Sequence, residues 1–377
     1  MRQTVALGLS GGVDSAAAAI LLKDAGYEVI GITMSIYDPS LEIGEAVGKG
    51  CFGPNEVQSL EAARKVADAL AIPHHIIDLK KGFQKEVLAY YTSSYQKGQT
   101  PNPCVMCNAH IKFGLLPQKA REEGLDFDLF ATGHYVQKKQ DPTTGLWQIY
   151  KGLDASKDQS YFLCFLNQLQ LASTLFPLGA LDKREAREIV ADKGLDWLLV
   201  KKESQDFIQS GDHAALFDDG SHQPGDMVDS EGRILGQHRG LIHYTIGQRK
   251  GLGISGQPEP MFVIRIDAQE NKVVVGTGKE LFGYELTALN PHWISGIRQQ
   301  TPQRALVRIR QQHIAAPASL TAMDDGNIRV KFDKPQLAIT PGQIVAFYEG
   351  ERLLGGGVIE GRRSAAGDRE ARCASSC

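Results

Sequence analysis

A serine- and glycine-rich segment near the start of the chain holds the first residues suited to chemistry. Residues 8–15 have the sequence GLSGGVDS, and the largely apolar residues 4–9 are typical of a buried parallel strand. The strong helix formers AAAAILLKDA follow at 16–25 and end at Gly26. Glycine lets a backbone come close to a ligand, and a helix N-terminus presents free N–H groups to it. The segment therefore predicts an anion site suited to phosphate or pyrophosphate, the alternative being an ordinary strand–helix turn.

The pattern Ser-Gly-Gly-x-Asp-Ser separates this segment from the commoner nucleotide loops. No Gly-Lys-Ser/Thr follows it, and it does not match GxGxxG. It resembles the signature of the ATP pyrophosphatases, or PP-loop family. Members of that family cleave ATP between the α and β phosphates and activate a carbonyl oxygen as an adenylate. The resemblance implies that ATP, with Mg²⁺, is bound here.

Residues 100–108, TPNPCVMCN, are the second segment suited to chemistry. Two prolines stiffen this segment and disfavour helix over 99–102, whereas a helical pattern resumes after Asn108. We therefore expect Cys107 at a helix N-terminus, where the dipole stabilises a thiolate and lowers the pKa of the thiol. A reactive cysteine pair and a buried structural pair both remain open for Cys104 and Cys107.

Composition limits the class of protein. The chain has 377 residues, of which 42% are hydrophobic and 23% charged, as expected for two or three globular domains. No apolar run approaches the roughly 18 residues that span a membrane, and the N-terminus shows no secretory signal. We therefore expect a cytoplasmic protein with no membrane partner. The net charge of −3 leaves RNA binding to local basic patches, such as 233–250 and 298–313.

The first half of the chain alternates strand and helix patterns in a way that would position both segments. Besides 4–9, strands are predicted at 28–34, 72–79 and 128–134. This alternation is typical of a doubly wound parallel sheet, whose ligands bind at the carboxyl ends of the strands. Met34 and the pair Gly133–His134 lie at such ends, so we expect them to share one nucleotide pocket with residues 8–15.

The sequence pattern changes near residue 206. From there, short β-branched segments alternate with Gly- and Pro-rich turns. We predict an α/β PP-loop catalytic domain at 1–205, a small β-rich central domain at 206–282, a C-terminal β-barrel at 283–361 and a disordered tail at 362–377. Cys164 lies in an apolar run and is predicted to be in the core. Cys373 and Cys377 lie in the tail, and no role is assigned to them.

Six motifs in a fixed order carry a closer resemblance. The resemblance covers residues 4 to about 360, and the motifs are SGGVDS, TPNPCVMCN, ATGHY, KDQSYFL, HYTIGQRKGLGI and TPGQ. In these motifs the chain resembles the tRNA-specific 2-thiouridylases, which are PP-loop enzymes with a central domain and a β-barrel that helps to hold tRNA. The resemblance implies ATP-dependent adenylation of the C2 oxygen of the wobble uridine in tRNA anticodons. A sulfur nucleophile then releases AMP and leaves 2-thiouridine.

The same resemblance implies roles for single residues. Cys107 matches the family's catalytic nucleophile, and we assign Cys104 and Asp14 to catalysis beside it. The residues implied to contact ATP are Gly8, Leu9, Ser10, Gly11, Gly12, Val13, Asp14, Ser15, Met34 and Gly133. The residues implied to contact tRNA are Asn102, Pro103, Cys104, His134, Lys157, Asp158, Gln159, Arg308, Ile309 and Gln343.

One segment departs from the family pattern. Most members carry a second cysteine, the persulfide carrier, after a stretch that corresponds to 202–209, yet KESQDFIQ contains none. Our hypothesis is that Cys51, Cys104 and Cys107 ligate a four-iron iron–sulfur cluster whose open iron holds the transferred sulfide. A Cys104–Cys107 redox pair and a persulfide on Cys107 stay open as alternatives. So does the sulfur donor, which is sulfide, a cysteine desulfurase or a relay protein.

Two other functions also stay open. A different PP-loop RNA thiolase or an amide-forming synthetase would share the nucleotide loop, but a synthetase would not need the cysteine segment. A non-catalytic RNA-binding protein would keep the loop only as a vestige. Such a protein would release no pyrophosphate from ATP.

Overall fold

The computed structural model describes most of the chain, namely residues 2–41, 43–44, 50–200, 206–209, 213–297 and 303–363. The tail that the sequence predicts to be disordered lies outside these ranges, together with Cys373 and Cys377, apart from its first two residues. Residues 362 and 363 end a β-strand, so the predicted boundary is wrong by two residues. None of the helices in the described ranges has the length and apolar character needed to cross a membrane.

The N-terminal part alternates strands and helices. In chain order its elements are β1 (Thr4–Gly8), α1 (Val13–Asp24), β2 (Glu28–Ser35), β3 (Gly50–Phe52), α2 (Glu56–Ala69), β4 (His74–Asp78), α3 (Lys80–Phe83), α4 (Ala89–Gln96), α5 (Pro103–Met106), α6 (Leu116–Glu122), β5 (Leu129–Ala131), β6 (Val136–Gln140), β7 (Trp147–Lys151), α7 (Gln168–Ala172), β8 (Thr174–Leu175), α8 (Lys183–Asp192) and β9 (Asp206–Ile208). A π-helical segment, Gln84–Leu88, joins α3 to α4, and a second, Cys107–Leu115, joins α5 to α6. Short 3-10 turns lie at Ser160–Leu163 and Asp196–Leu198.

A five-stranded parallel sheet with the strand order β4–β2–β1–β5–β8 forms the centre of this part. Side chains of β1 alternate between the two faces of the sheet. Val5 and Leu7 belong to the core that α1, α2 and α8 cover, whereas Ala6 belongs to the core under the helices of residues 80–122. All three side chains are fully buried. The predicted doubly wound sheet is therefore confirmed, with β8 as a fifth strand that the sequence pattern did not predict.

A small four-stranded sheet follows in the chain. Its strands are β10 (Gly225–Val228), β11 (Ile234–His238), β12 (Met261–Asp267) and β13 (Lys272–Thr277), in the spatial order β11–β10–β13–β12. Met227, Val263 and Val273 are fully buried and form its core together with Tyr244 and Leu252. Short 3-10 turns flank this sheet at Ala214–Leu216, Asp219–His222, Leu241–His243 and Gly278–Leu281.

The C-terminal part is a closed six-stranded β-barrel. Its strands are β14 (Phe282–Trp293), β15 (Gln303–Arg308), β16 (Ala316–Ala322), β17 (Ile328–Leu337), β18 (Ile344–Glu349) and β19 (Arg352–Arg363). They neighbour one another in the order β14–β17–β16–β15–β18–β19, and β14 also pairs with β19. That last pairing closes the barrel and confirms the prediction for this part of the chain.

A hairpin from the N-terminal part extends the sheet of the barrel. Strands β6 and β7 pair antiparallel, and β7 pairs with the start of β19 through Tyr150–Arg352 and Ile149–Leu353. Ile149 and Leu353 are both buried. The sequence analysis did not predict this hairpin, because the strand that completes it lies at the far end of the chain.

We expect Gly11→Ala to destabilise the protein. Gly11 has a φ of +68°, and a Cβ atom there would lie 2.5 Å from the backbone nitrogen of Ala63 on α2. Backbone strain and steric overlap together should lower the free energy of unfolding by about 2–5 kcal/mol, as measured by urea unfolding.

Gly26→Ala is the matched control for this prediction. Gly26 has a φ of +88°, but nothing lies within 4 Å of the position of its Cβ atom. It should therefore show the strain without the overlap, and its loss of stability should be smaller. Equal losses in the two variants would show that the close approach of Gly11 to α2 has no energetic effect.

Candidate nucleotide and sulfur site

A pocket of about 310 Å³ opens at the carboxyl ends of β1, β2 and β5. Parallel strands end at one edge of a sheet, which is where doubly wound proteins bind ligands. Of the residues predicted to contact ATP, those that line this pocket are Gly8, Leu9, Ser10, Asp14, Ser15, Met34 and Gly133. The other lining residues are Ile32, Thr33, Ile36, Gly50, Cys51, Glu56, Ser59, Leu60, Lys112, Leu116, Thr132, His134 and Gln159.

The loop between β1 and α1 is held in shape by its own side chains. The Ser10 amide and hydroxyl lie 3.2 and 3.1 Å from Ser15 Oγ, which in turn donates to the Gly12 carbonyl at 3.1 Å. Gly12 is the N-cap of α1, and no side chain caps the helix. The N–H groups of its first turn are therefore left for an anionic ligand, as at helix N-termini that bind phosphate.

Three residues predicted to contact ATP do not line the pocket. Gly11 lies against α2, Gly12 caps α1, and the Val13 side chain is buried in the core. Their contact with ATP stays a prediction. Gly133, by contrast, lines the pocket, where a Cβ atom would lie 2.9 Å from the carbonyl carbon of Asp14.

Two residues that the sequence analysis missed hold the Asp14 carboxylate. The Lys183 ammonium lies 2.6 Å from Asp14 Oδ1, and the Tyr135 hydroxyl donates to the same oxygen at 2.7 Å. Lys183 opens α8, whose capping box of Asp182 and Glu185 is recognisable in the sequence. That local pattern carries no information about a contact with a loop 169 residues away.

Glu56, at the start of α2, fixes the end of β2 on the opposite wall of the pocket. Its Oε1 atom accepts hydrogen bonds from the amides of Ile36 and Tyr37 at 2.6 and 2.8 Å. Its Oε2 atom accepts from the Ser35 hydroxyl at 2.8 Å. Both oxygens of the Glu56 carboxylate therefore accept hydrogen bonds from the residues that follow Met34.

The cysteine segment, residues 100–108, is held against the barrel. The Gln343 amide donates to the carbonyls of Thr100 and Pro101 at 3.1 and 3.2 Å, and the Thr100 amide donates to the Pro341 carbonyl at 2.8 Å. The Asn102 side chain then accepts from the Val105 amide at 3.2 Å and caps α5. The barrel thus determines where the helix that carries both cysteines begins.

Comparisons with known proteins match all three parts of the chain, namely the N-terminal part, the small central sheet and the barrel. Family models described as a tRNA methyl transferase HUP domain, a tRNA methyl transferase PRC-barrel domain and an aminomethyltransferase beta-barrel domain match residues 3–209, 215–277 and 284–359. The chain is 44% identical over 357 residues to a tRNA-specific 2-thiouridylase from Endomicrobium trichonymphae. That alignment covers 94% of this chain and 98% of the relative. The chain belongs to the tRNA-specific 2-thiouridylase family.

Other thiouridylases match to a similar extent. The chain is 43% identical over 361 residues to one from Thermoanaerobacter pseudethanolicus, covering 94% of this chain and 97% of the relative. The identity to the thiouridylase of Nostoc punctiforme is also 43% over 361 residues, covering 94% and 98%. The matches therefore extend over the sheet, the central part and the barrel.

The residues that the thiouridylase resemblance assigns to tRNA are spread over several parts of the structure. Asn102, Pro103 and Cys104 lie in the cysteine segment, which Gln343 holds, while His134 and Gln159 line the pocket. Lys157 is half-buried in the loop before Asp158. Arg308 ends the barrel strand β15, and Ile309 follows it.

Asp158 and Arg308 are bonded to each other in this structure. The Arg308 guanidinium donates to Asp158 Oδ2 at 2.8 Å, and only 12% and 4% of the two side chains are exposed. Ile309 is 1% exposed in the barrel core. Asp158 also accepts from the Ser160 amide and hydroxyl, both at 3.0 Å. Contact of these three residues with tRNA stays a prediction.

Burial, rather than a helix dipole, determines the pKa of the thiols in this thiouridylase. Cys107 does not open a helix: α5 begins at Pro103 and continues through Cys107 without a break. Burial raises the pKa of Cys107 to about 11, opposed in part by the Lys112 ammonium. The prediction that the pKa of Cys107 is lowered is therefore wrong, because no helix end points at this thiol.

The other cysteines in the described ranges are also free thiols. Cys51 lines the pocket and lies near Cys104 and Cys107. Burial raises the pKa of Cys104, and Lys112 again opposes the shift. Cys164 is fully buried in the core, as predicted.

The predicted iron–sulfur ligands do not form a ready metal site. Within the described ranges, no group of three or more His, Cys, Asp or Glu side chains is placed to hold a metal ion. Cys51 Sγ lies 3.6 Å from the Phe207 carbonyl, to which it donates. A cluster on Cys51, Cys104 and Cys107 would need a different arrangement of these thiols, and it stays a prediction.

His134 is a neutral imidazole at the floor of the pocket. Burial, with a smaller contribution from the Lys112 charge, lowers its pKa well below the ordinary value. Its Nδ1 atom lies 2.7 Å from the Thr132 hydroxyl. His134 is therefore suited to hydrogen bonding with a base or sugar rather than to holding a phosphate by its charge.

We expect alkylation of Cys107 by iodoacetamide to be slow at pH 7 and to rise about tenfold per pH unit up to pH 10. A thiol is protonated below its pKa, and the pKa of Cys107 is raised to about 11. The rate is measured on the Cys107 peptide by mass spectrometry. N-acetylcysteine in the same buffers is the control, and its rate should level off near the ordinary thiol pKa of about 8.5. The same levelling at Cys107 would contradict the burial argument.

We expect Arg308→Met to lower the free energy of unfolding by about 3–5 kcal/mol, because it leaves the Asp158 carboxylate buried without its cation. Arg304→Met is the matched control, since Arg304 forms an exposed ion pair with Asp333, and its loss should be within about 1 kcal/mol. Urea unfolding measures both. Wild-type stability in Arg308→Met, with weakened tRNA binding, would show that Arg308 serves RNA rather than the fold.

Proposed function

We propose that this protein is an ATP-dependent tRNA sulfurtransferase that replaces the C2 oxygen of the wobble uridine with sulfur. The observation that supports this proposal is a single pocket that combines a phosphate-binding loop with free cysteines. Ser10 and Cys51 line the same 310 Å³ space, and Cys104 and Cys107 lie near Cys51. The names of the relatives, which are tRNA-specific 2-thiouridylases, point to the same reaction.

The first step is activation of the uridine. ATP, with Mg²⁺, binds with its phosphates at the N-terminus of α1, where no side chain caps the helix. The C2 oxygen of the uridine attacks the α-phosphate, and pyrophosphate leaves. The Asp14–Lys183 pair lies beside this loop and orients the groups around the departing pyrophosphate. Because a base inside an RNA stack cannot reach such a pocket, the uridine must be extruded from the anticodon loop.

The second step is delivery of sulfur by Cys107. Its thiol must first receive sulfane sulfur from a donor persulfide, such as that of a cysteine desulfurase, which leaves as a thiol. The terminal sulfur of the Cys107 persulfide then attacks C2 while the C2–O bond breaks and AMP leaves with the oxygen. The Cys104 thiol then attacks the Cys107 sulfur, the S–S bond to the base breaks, and the proton of the Cys104 thiol passes to the departing thiouridine. This releases 2-thiouridine and leaves a Cys104–Cys107 disulfide, which an external thiol must reduce.

Three alternatives give different products. The family models bear methyl transferase descriptions, and addition of a methyl group changes the nucleoside mass differently from exchange of oxygen for sulfur. An amide-forming synthetase would not need Cys107. A non-catalytic RNA-binding protein would release no pyrophosphate. The cysteine segment beside the nucleotide pocket favours thiolation over all three.

The decisive experiment is mass spectrometry of nucleosides from tRNA incubated with the protein, ATP, Mg²⁺, a reducing thiol, and cysteine with a cysteine desulfurase as the source of persulfide sulfur. We expect 2-thiouridine and stoichiometric AMP from the wild-type protein. Cys107→Ser should give no 2-thiouridine while still binding tRNA, and Cys164→Ser is a control that removes a buried cysteine that does not line the pocket. A wild-type protein that forms AMP but no thiolated nucleoside would overturn the proposal.

The carrier of the sulfur is tested separately by anaerobic reconstitution with iron and sulfide. The persulfide route predicts that Cys51→Ala retains most of the thiolation and that reconstitution adds no visible absorbance from iron. An iron-dependent absorbance that is lost in Cys51→Ala, together with the activity, would show instead that the three cysteines hold a cluster.

A further inference from the structure

The π-helical segment Cys107–Leu115 places a lysine above the reactive cysteine. In an α-helix, residues three and four positions apart share a face. The i→i+5 hydrogen bonds of a π-helix bring residue i+5 over residue i instead. Lys112 is five positions after Cys107, so the π-helical turn brings its side chain to the side of the helix that carries Cys107.

Lys112 is the cation of the pocket. Among the described residues that line the pocket it is the sole lysine or arginine, and it is half-buried. Two carboxylates, Asp14 and Glu56, share the pocket, but both are engaged elsewhere. Asp14 accepts from Lys183 and Tyr135, and Glu56 accepts from the backbone at the end of β2.

A half-buried ammonium in such a place requires an anion. No described carboxylate forms an ion pair with Lys112, and removal of a charge from water without a partner is unfavourable. His134, the other titratable base nearby, is neutral and therefore cannot supply the positive charge in place of Lys112. The anion that the proposed reaction brings to this pocket is a nucleotide phosphate.

The position of Lys112 selects one phosphate of ATP. The uncapped α1 N-terminus suits the pyrophosphate, and we assign the base to the side of Met34, at the end of β2. Lys112 lies on the helix that bears the sulfur nucleophile, and the α-phosphate is the part of ATP that must meet both the uridine oxygen and that nucleophile. In the second step the negative charge that develops as the C2–O bond breaks is on AMP.

We propose that Lys112 is a catalytic residue that binds the α-phosphate and stabilises AMP as it leaves, an inference that rests on the proposed sulfur transfer. A fixed cation aimed at the charge that develops in a transition state is among the strongest catalytic devices. Lys112 donates a hydrogen bond to the phosphate without transferring a proton.

The first test measures binding of adenosine and AMP to the full chain by calorimetry. These ligands differ by one phosphate, which is the group assigned to Lys112. Lys112→Met should lower the ratio of AMP to adenosine affinity by about tenfold, with adenosine affinity unchanged, and Lys112→Arg should keep most of the ratio. An unchanged ratio in Lys112→Met would overturn the proposal.

The second test measures the single-turnover rate of AMP release with tRNA and ATP. Lys112→Met should slow this step by about 10²–10³, with a smaller effect on the KM for ATP, and Lys112→Arg should restore part of the rate. An arginine variant as slow as the methionine variant would show that the charge is not what matters, and would contradict the proposal.

Lys119→Met is the matched control for both tests. Lys119 lies on α6 in the same continuous helix, is 45% exposed and pairs with Glu122 at 3.3 Å. It should leave both readouts at wild-type values. A wild-type protein that binds AMP through Lys112 but makes no 2-thiouridine would refute the proposed function alone, whereas normal thiolation by Lys112→Met would refute only the role of Lys112.

Discussion

The buried contact between Asp158 and Arg308 is the constraint on which the site depends. A carboxylate with 4% exposure must be satisfied within the protein, and Arg308 from β15, with the Ser160 amide and hydroxyl, satisfies it. Once Asp158 is fixed, its neighbour Gln159 lies at the pocket wall, where its side chain accepts from the Tyr135 amide at 3.0 Å. Tyr135 in turn bonds to Asp14. A continuous series of polar contacts therefore runs from the barrel to the loop between β1 and α1.

The cysteine segment shows how two physical effects compete for one group. A dipole at an exposed helix end stabilises a thiolate by about 0.3–1 kcal/mol, whereas burial can shift a pKa by several units in the other direction. At Cys107 the dipole is absent because the helix begins one turn earlier, at Pro103, so burial prevails. A thiol whose pKa is raised in this way is mostly protonated at neutral pH and is therefore less prone to oxidation.

Local pattern was enough to predict the sheet, the loop at residues 8–15 and the barrel, because hydrophobic alternation and turn residues are short-range signals. It also placed Met34 and Gly133 at the pocket, since parallel strands end at one edge. It did not reveal Lys183 beside Asp14 or Arg308 beside Asp158. The local sequence around a charged residue does not indicate which residue, more than a hundred positions away, will be its partner in the fold. The predicted position of Cys107 at a helix N-terminus was wrong for a related reason. The two prolines were interpreted as part of a loop that precedes the helix, whereas the second of them, Pro103, is the first residue of α5.

The hairpin of β6 and β7 has a consequence for how this chain can be divided. Its pairing with β19 covers backbone that would otherwise form an unprotected edge next to the buried Leu353. Such edges recruit strands from other molecules. If the chain were cut between the N-terminal part and the barrel, one fragment would contain the β6–β7 hairpin without its partner strand. The other fragment would expose the unpaired edge of β19 and would tend to aggregate. The parts are therefore distinct in sequence but do not form independent structural units.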